Sequence, residues 1–328
     1  MKQLTQPEVL DLRHYSARQL RPLLDEEVRQ WNERLHWDYR NSVDLLLQYL
    51  DSRVLPGLVA LSNDHLCGYI FCVYEGHKAL IGDVYASSAL SAPHSTAEVE
   101  QRLLVHLIET LQHQPGVERI ESQLLLHPSG ELAAPFLAAG FQSHPRLFME
   151  CPLDNGPLAE AGQTHLPAGL AVHPWSTAWF QEAGKLIHRA YLGHPDSLIN
   201  DQYATLEGCL RFLHNIVRFP GCGVFDNDAS LVITDEESGG LLGLVLCSRV
   251  RADVGHITQI CILPEHRHHG LAHALLQQCA ASLRRNGGNS LTLTVTAGNT
   301  SAVALYEKLG CHVRHRFDAM VWNKPPSS

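Results

Sequence analysis

The chain has 328 residues, 45% hydrophobic and 18% charged, with a formal net charge of −9. That length suits two compact domains, each with its own apolar core, and the acidic balance argues against a nucleic-acid partner while tolerating a cationic or amine-bearing one. No apolar run approaches the roughly 20 residues of a membrane span, and the start Met1-Lys2-Gln3 is too polar for a signal peptide, so a cytoplasmic protein with no membrane partner is expected.

In chain order, Val9 to Leu12 reads as a strand and Ala17 to Leu50 as mostly helical. Strands follow at Gly57 to Leu61, Cys67 to Tyr74 and Ala79 to Tyr85. A helix over Ala97 to Gln112, a strand over Arg119 to Leu125, a short helix ending at Gly140-Phe141 and a strand near Leu147 to Cys151 complete the first half. The stretch from Asp154 to Gly169 is rich in Gly, Pro and Ala and lacks periodicity, which predicts a linker. Beyond it come a strand at Leu170 to Trp175, two helices carrying Trp179 to Ala190 and Leu206 to Val217, and an end near Pro220-Gly221. Strands at Ser230 to Thr234, Leu241 to Val250 and His256 to Leu263 lead to a helix from Leu271 to Arg285. The strand Ser290 to Val295, the helix Ser301 to Leu309 and a strand around Arg316 to Trp322 close the chain.

The two halves repeat this order, and two anchors align them: Gly68-Tyr69-Ile70 with Gly243-Leu244-Val245, and Phe136 to Gly140 with Tyr306 to Gly310. The domains are therefore expected at 1–153 and 170–328, joined by 154–169. Nine cysteines, an odd number without C-x-x-C spacing, argue against a disulfide framework and a zinc knuckle. Cys67, Cys72, Cys247 and Cys261 lie among apolar neighbours, where a thiol packs as a small hydrophobe. His266, His268, His269 and His273 crowd together without the spacing that aims three imidazoles at one point, so no metal is expected.

The chemistry concentrates in two segments. Ile260 to Ala272 reads as a strand end, a proline, a turn carrying Arg267 and Gly270, and the start of an amphipathic helix. A helix start offers unpaired backbone N–H groups and a positive dipole end. Arg267 adds fixed charge, and Gly270 and Ala272 leave room for a diphosphate against the backbone. The second segment, Asn299 to Gly310, places Ala302, Leu305, Tyr306 and Leu309 on one helical face, capped by Thr300 or Ser301 and stopped by Gly310.

In this order and separation the two segments resemble the GNAT (GCN5-related N-acetyltransferase) superfamily. Arg267 to Ala272 match its pyrophosphate loop; Asn299, Ala302, Leu305, Tyr306, Leu309 and Gly310 match its second signature. The resemblance implies an α/β (α+β) fold of two tandem domains, each a mixed, bent sheet flanked by helices, in a plan similar to that of mycothiol synthase. It implies acetyl-CoA or another acyl-CoA as co-substrate, wedged where two parallel strands splay. Its diphosphate would rest on Arg267, His268, His269, Gly270, Leu271 and Ala272, and its pantetheine arm along Ile260, Cys261 and Ile262, with Asn299 facing that arm. Tyr306 would protonate the departing thiolate after direct attack by a primary amine, here expected on a small molecule.

Many family members carry a carboxylate two residues before the position of Cys261, where this chain has Gln259. Gln259 cannot act as a base; His256 could substitute only if the strand bulges, and His273 is a further candidate, so the base stays unassigned. The first half has Ser87 to Thr96 in place of the phosphate loop, without arginine or glycine, and Phe136 in place of Tyr306. It is expected to be catalytically silent. The alternatives are a protein N-terminal or lysine acetyltransferase, and a CoA-binding regulatory protein without turnover.

Overall fold

A computed structural model describes residues 6–90, 95–159, 166–218 and 221–326. The central part of the expected linker, Pro220 and the middle of the Ser87–Thr96 segment lie outside the described residues. The first stretch of chain forms β1 (Glu8–Asp11), α1 (Ala17–Leu35), α2 (Arg40–Asp51), β2 (Gly57–Ser62), β3 (His65–Glu75), β4 (Lys78–Ala86), α3 (Thr96–His113), β5 (Arg119–Gln123), α4 (Ala133–Ala138) and β6 (Gln142–Pro152). The second forms β7 (Leu170–Pro174), α5 (Phe180–Tyr191), α6 (Asp196–Ile199), α7 (Leu206–Arg218), β8 (Val224–Phe225), β9 (Leu231–Asp235), β10 (Leu241–Arg251), β11 (Val254–Ile262), α8 (Leu271–Arg285), β12 (Ser290–Thr296), α9 (Thr300–Lys308) and β13 (His312–Asn323).

These elements make two compact units whose boundaries do not follow the expected linker. The first runs to Leu35, takes in Tyr39–Pro145 and resumes from Arg316; the second comprises His36–Asp38 and Arg146–His315. Strand pairing is the reason. Residues Arg146 to Pro152 of β6 pair antiparallel with Thr296 to Ser290 of β12, inside the second unit. Ala319 to Asn323 of β13 pair antiparallel with Gln123 to Arg119 of β5, inside the first. The first unit thus takes its last strand from the far end of the chain, and the second begins at β6, ahead of the expected linker, which no local pattern announces.

The units repeat one plan. In the first, β1–β2–β3–β4 is an antiparallel run and β4 then pairs parallel with β5. In the second, β7–β9–β10–β11 is the antiparallel run and β11 pairs parallel with β12. Both repeat anchors take the same places. Gly68 faces Ala86 across β3–β4, as Gly243 faces Ile262 across β10–β11. Gly140 and Gly310 each end a helix at φ +83°, the left-handed conformation that favours glycine.

Each unit has its own core. The capping box of α3 joins Ser95 and Glu98, with Glu98 N donating to Ser95 Oγ at 3.3 Å and Ser95 N to a Glu98 oxygen at 2.8 Å. That helix buries Val99, Leu103, Leu104, Leu107, Ile108 and Leu111 against β2, β3 and β4. In the second unit α8 turns Leu271, Leu275, Leu276, Cys279 and Leu283 inward over β9, β10 and β11. Burying each such leucine stabilises by about 1.5–3 kcal/mol.

One expectation needs correction. Cys151 and Cys311 form a disulfide within the second unit, closing a sequence separation of 160 residues. The pairing of β6 with β12 brings Cys151 to the loop after α9, a juxtaposition that cysteine count and spacing do not reveal. Closing a loop of that size is worth about 4–5 kcal/mol in the chain-entropy account. Dithiothreitol should therefore lower the melting temperature by several degrees, and the Cys151→Ser/Cys311→Ser double variant should lose that dependence. A Tm indifferent to reductant would contradict the bridge.

Candidate active site

The site begins with a defect in β11. Leu246 pairs with Gln259 but the next residue, Cys247, pairs with Ile257, so Thr258 is an extra residue on β11, a β-bulge. Parallel pairing with β12 ends at Ile257 and Leu293, immediately before that bulge. From there the two strands separate, and a cleft of about 550 Å³ opens between them, lined by residues of both strands, of the loop before α8, and of α9.

The bulge also decides which backbone groups face the opening. Leu263 N donates to Leu242 O at 2.9 Å, so Gly243 and Ile262 are a non-hydrogen-bonded pair of the antiparallel ladder. The N–H and C=O of Ile262, and by the two-residue period those of Ile260, therefore point away from β10 and into the gap. Cys261 turns its backbone to β10; its buried thiol is held protonated, pushed well up by burial.

At one end of the gap lies the start of α8. Its first backbone bond is Ala274 N to Gly270 O at 3.0 Å, so the amides of the preceding turn have no partner within the helix. His268 and Gly270 both take left-handed conformations, with φ of +65° and +78°. A Cβ on Gly270 would meet no heavy atom within 4 Å, so the turn borders open space. Arg267 pins this turn in place. It donates from Nη2 to Ala190 O at 2.7 Å, at the end of α5, and from Nε to Ile262 O at 3.3 Å. A cation at a helix C-terminus is favourable, so this arginine orients the loop as well as lining the cleft.

Of the residues expected to bind a diphosphate and pantetheine arm, Ile260, Cys261, Ile262, Arg267, His268, Gly270, Leu271, Ala272 and Asn299 line the cleft, and His269 does not. Asn299, not Thr300 or Ser301, caps α9: its Oδ1 accepts from Ala302 N at 3.3 Å. Tyr306 lines the cleft from α9 and is buried; burial and the charge of Asp196 raise its phenol well above the ordinary value, so it stays protonated.

His256 is not at the cleft. The strand does bulge, but His256 lies before the bulge, with its ring 4.8 Å from Trp37 and 5.8 Å from Phe148. Thr292 Oγ1 gives its proton to Gly255 O, so His256 Nδ1 donates to Thr292 Oγ1 at 2.9 Å. Burial, with the charge of Arg146, depresses its pKa to about 3. It is a neutral core histidine. His273 does line the cleft.

Sequence patterning missed the other wall. Tyr191 ends α5, His194, Asp196, Asn200 and Tyr203 come from the segment between α5 and α7, and Arg146 comes from β6. Tyr191 and Tyr203 stack at 4.0 Å, and Tyr203 Oη donates to Gln259 Oε1 at 3.2 Å. Asp196 is the carboxylate lining this cleft among the described residues, accepting from Thr296 Oγ1 at 2.6 Å with His194 Nδ1 at 3.9 Å. Burial lowers the His194 pKa against the opposing pull of Asp196, so its ring is neutral near pH 7, with Nδ1 accepting from Asp196 N at 3.1 Å. Among the described residues no cluster of three or more His, Cys, Asp or Glu could hold a metal.

The first unit carries the same defect in a different state. Phe71 pairs with Asp83 and Cys72 with Ile81, leaving Gly82 as the extra residue, and parallel pairing with β5 ends at Ile81 and Ser122. Here the exposed backbone groups are already taken. Ala86 N donates to a Glu100 oxygen at 3.1 Å, and His127 Nε2 donates to Val84 O at 3.0 Å. Buried Glu100, His127 and Asp83 fill this gap, and burial raises the Glu100 pKa to about 7.

Residues 198–311 match the model of the Acetyltransferase (GNAT) family. A 71-residue segment is 34% identical to the [ribosomal protein bS18]-alanine N-acetyltransferase of Escherichia coli strain K12, covering 22% of this chain and 48% of that protein. The chain thus spans about half the length of the curated relatives it matches. A GCN5-related N-acetyltransferase from Sphaerobacter thermophilus shares the fold with a TM-score of 0.66 at 17% identity, covering 99% of this chain and 98% of that one. A tandem GNAT protein from the clavulanic acid biosynthesis pathway does so with a TM-score of 0.62 at 16% identity, covering 98% and 100%. At such identities the likeness of the solved structures speaks for fold alone.

Because Gly270 holds φ at +78° in open space, alanine there should cost about 1–2 kcal/mol through backbone strain alone. Asparagine, which tolerates this conformation, should cost less. Urea unfolding midpoints decide this; equal midpoints for Gly270→Ala and wild type would refute the strained turn.

Proposed function

As the chain belongs to the GNAT acetyltransferase family through residues 198–311, we propose that its second unit transfers an acetyl or other short acyl group from acyl-CoA to the primary amine of a small molecule. The observation that carries this is the coincidence, in one cleft, of outward-facing Ile260 and Ile262 backbone groups, the open start of α8 and the protonated phenol of Tyr306. Acyl-CoA supplies the activated acyl carbon. The loop His268–Ala272 receives the diphosphate on its amides, and Ile260 and Ile262 pair with the amide-bearing arm as a neighbouring strand would.

A primary ammonium has a pKa near 10 and must lose a proton before it can attack. His194, kept neutral by burial, accepts it at Nδ1, exchanging the bond from Asp196 N for the Asp196 carboxylate beside it. The new C–N bond forms first, pushing the carbonyl pair onto oxygen, and the C–S bond then breaks with its bonding pair leaving on sulfur. The Ile262 N–H steadies the negative oxygen between these events. Tyr306 gives its proton to the thiolate and is reprotonated by the second proton lost from nitrogen, so one proton is released per turnover. Cys261, buried and protonated, takes no part.

The first unit is proposed to be silent. Its corresponding gap is filled by Glu100 and His127, and Phe136 stands where the second unit has Tyr306. A protein α-amine is the second reading, favoured by the 34% identity to an enzyme named for acetylating a ribosomal protein's alanine.

Two measurements test this. Tyr306→Phe should lower kcat by at least about 100-fold with little change in acetyl-CoA affinity, measured as thiol release and by titration calorimetry; full activity would remove the phenol from the mechanism. The acid limb of the kcat/KM profile should fall below the ordinary imidazole range, since a depressed histidine pKa keeps the base available until the pH drops through it. His194→Gln should abolish that limb, and an unaltered limb would assign the base elsewhere.

A further inference from the structure

The acceptor side of the cleft contains two opposite charges that do not neutralise each other. Arg146 is 8% exposed and lines the cleft. Its Nη2 donates to Thr294 Oγ1 at 3.3 Å, its Nε has no hydrogen-bond partner, and among the described residues no carboxylate pairs with it. The nearby carboxylate of Glu150 is occupied by His36 at 3.1 Å and Arg314 at 2.8 Å. An unpaired buried charge is costly enough that removing one partner of a buried pair costs about 3–5 kcal/mol.

A second orphan lines the same cleft. Gln259 is 4% exposed, its Oε1 accepts from Tyr203, and its Nε2 has no partner. Both orphans are donors, and both belong to residues that line the cleft. What they lack is an acceptor, and the one that satisfies a guanidinium and an amide together is a carboxylate.

The opposite charge is Asp196, anchored to Thr296 Oγ1 at 2.6 Å. Thr294 and Thr296 are two apart on β12, so their side chains share a face with roughly 7 Å between them. Arg146 is tied to the first hydroxyl and Asp196 to the second. The cleft thus presents a cation with a companion donor and an anion, fixed about one small molecule's length apart.

We propose that the acyl acceptor is a zwitterion of amino-acid type, its carboxylate received by Arg146 and Gln259 and its ammonium drawn to Asp196, next to Tyr306. This rests on the acyl-transfer reading above and narrows its substrate class. It also gives Gln259 a role: where a carboxylate would repel the acceptor's own, an amide donates to it.

The test is acetylation of paired acceptors by the full-length protein: histidine against histamine, tyrosine against tyramine, and lysine against cadaverine, with an N-terminal peptide amine as a further arm. At least one amino acid should exceed its decarboxylated partner in kcat/KM by tenfold or more. Arg146→Met should shrink that ratio toward one, chiefly through KM, while acetyl-CoA binding by calorimetry reports that the variant is folded. If Arg146→Met lowers both members of a pair equally, or leaves the ratio intact because water satisfies the two donors, the proposal falls. Equal or better use of the amines also overturns it. Turnover of the peptide alone would sink the zwitterion but keep acyl transfer, and no turnover with any acceptor would sink both.

Discussion

The cleft exists because pairing between β11 and β12 breaks off. Parallel strands are held together by evenly spaced backbone bonds, and a strand edge left unpaired inside a protein is a cost to be relieved. The extra residue Thr258 turns Ile260 and Ile262 outward just where Leu293 marks the last paired position. The relief that the fold leaves available is a ligand with its own amides. The loop held by Arg267 lies beside the same gap, so the device that opens the sheet also sets the helix start of α8 against it.

The first unit shows what happens when the same break is filled from within. Gly82 repeats the bulge, but Glu100 and His127 take the exposed amide and carbonyl, and the gap closes on its own side chains. The contrast separates architecture from activity: the bulge and the splayed strands are inherited by both units, while the open amides, the glycine turn and the tyrosine belong to the second.

Much of this was legible in the sequence because it rests on local rules. The helix Leu271–Arg285 announces itself by its apolar face, Gly270 by the turn before it, and Tyr306 by its place on the inner face of a helix stopped at Gly310. Three things were not legible. The strand partners of β6 and β13, and with them the Cys151–Cys311 bridge, depend on pairing between distant segments. The far wall of the cleft is built from the stretch around Asp196 and from Arg146, which has no periodicity to read. The position of the bulge at Thr258 is the third: it falls after His256 and leaves that ring packed between Trp37 and Phe148.

Amide hydrogen exchange of the full chain, with and without acetyl-CoA, reads the central claim at the atoms concerned. Acetyl-CoA should bring new protection at Ile260, Ile262 and the turn from His268 to His273, with no change at Val84 and Ala86, whose N–H groups already donate to Asp83 and Glu100. Protection confined to the first unit, or none at Ile260 and Ile262 when ligand is bound, would contradict it.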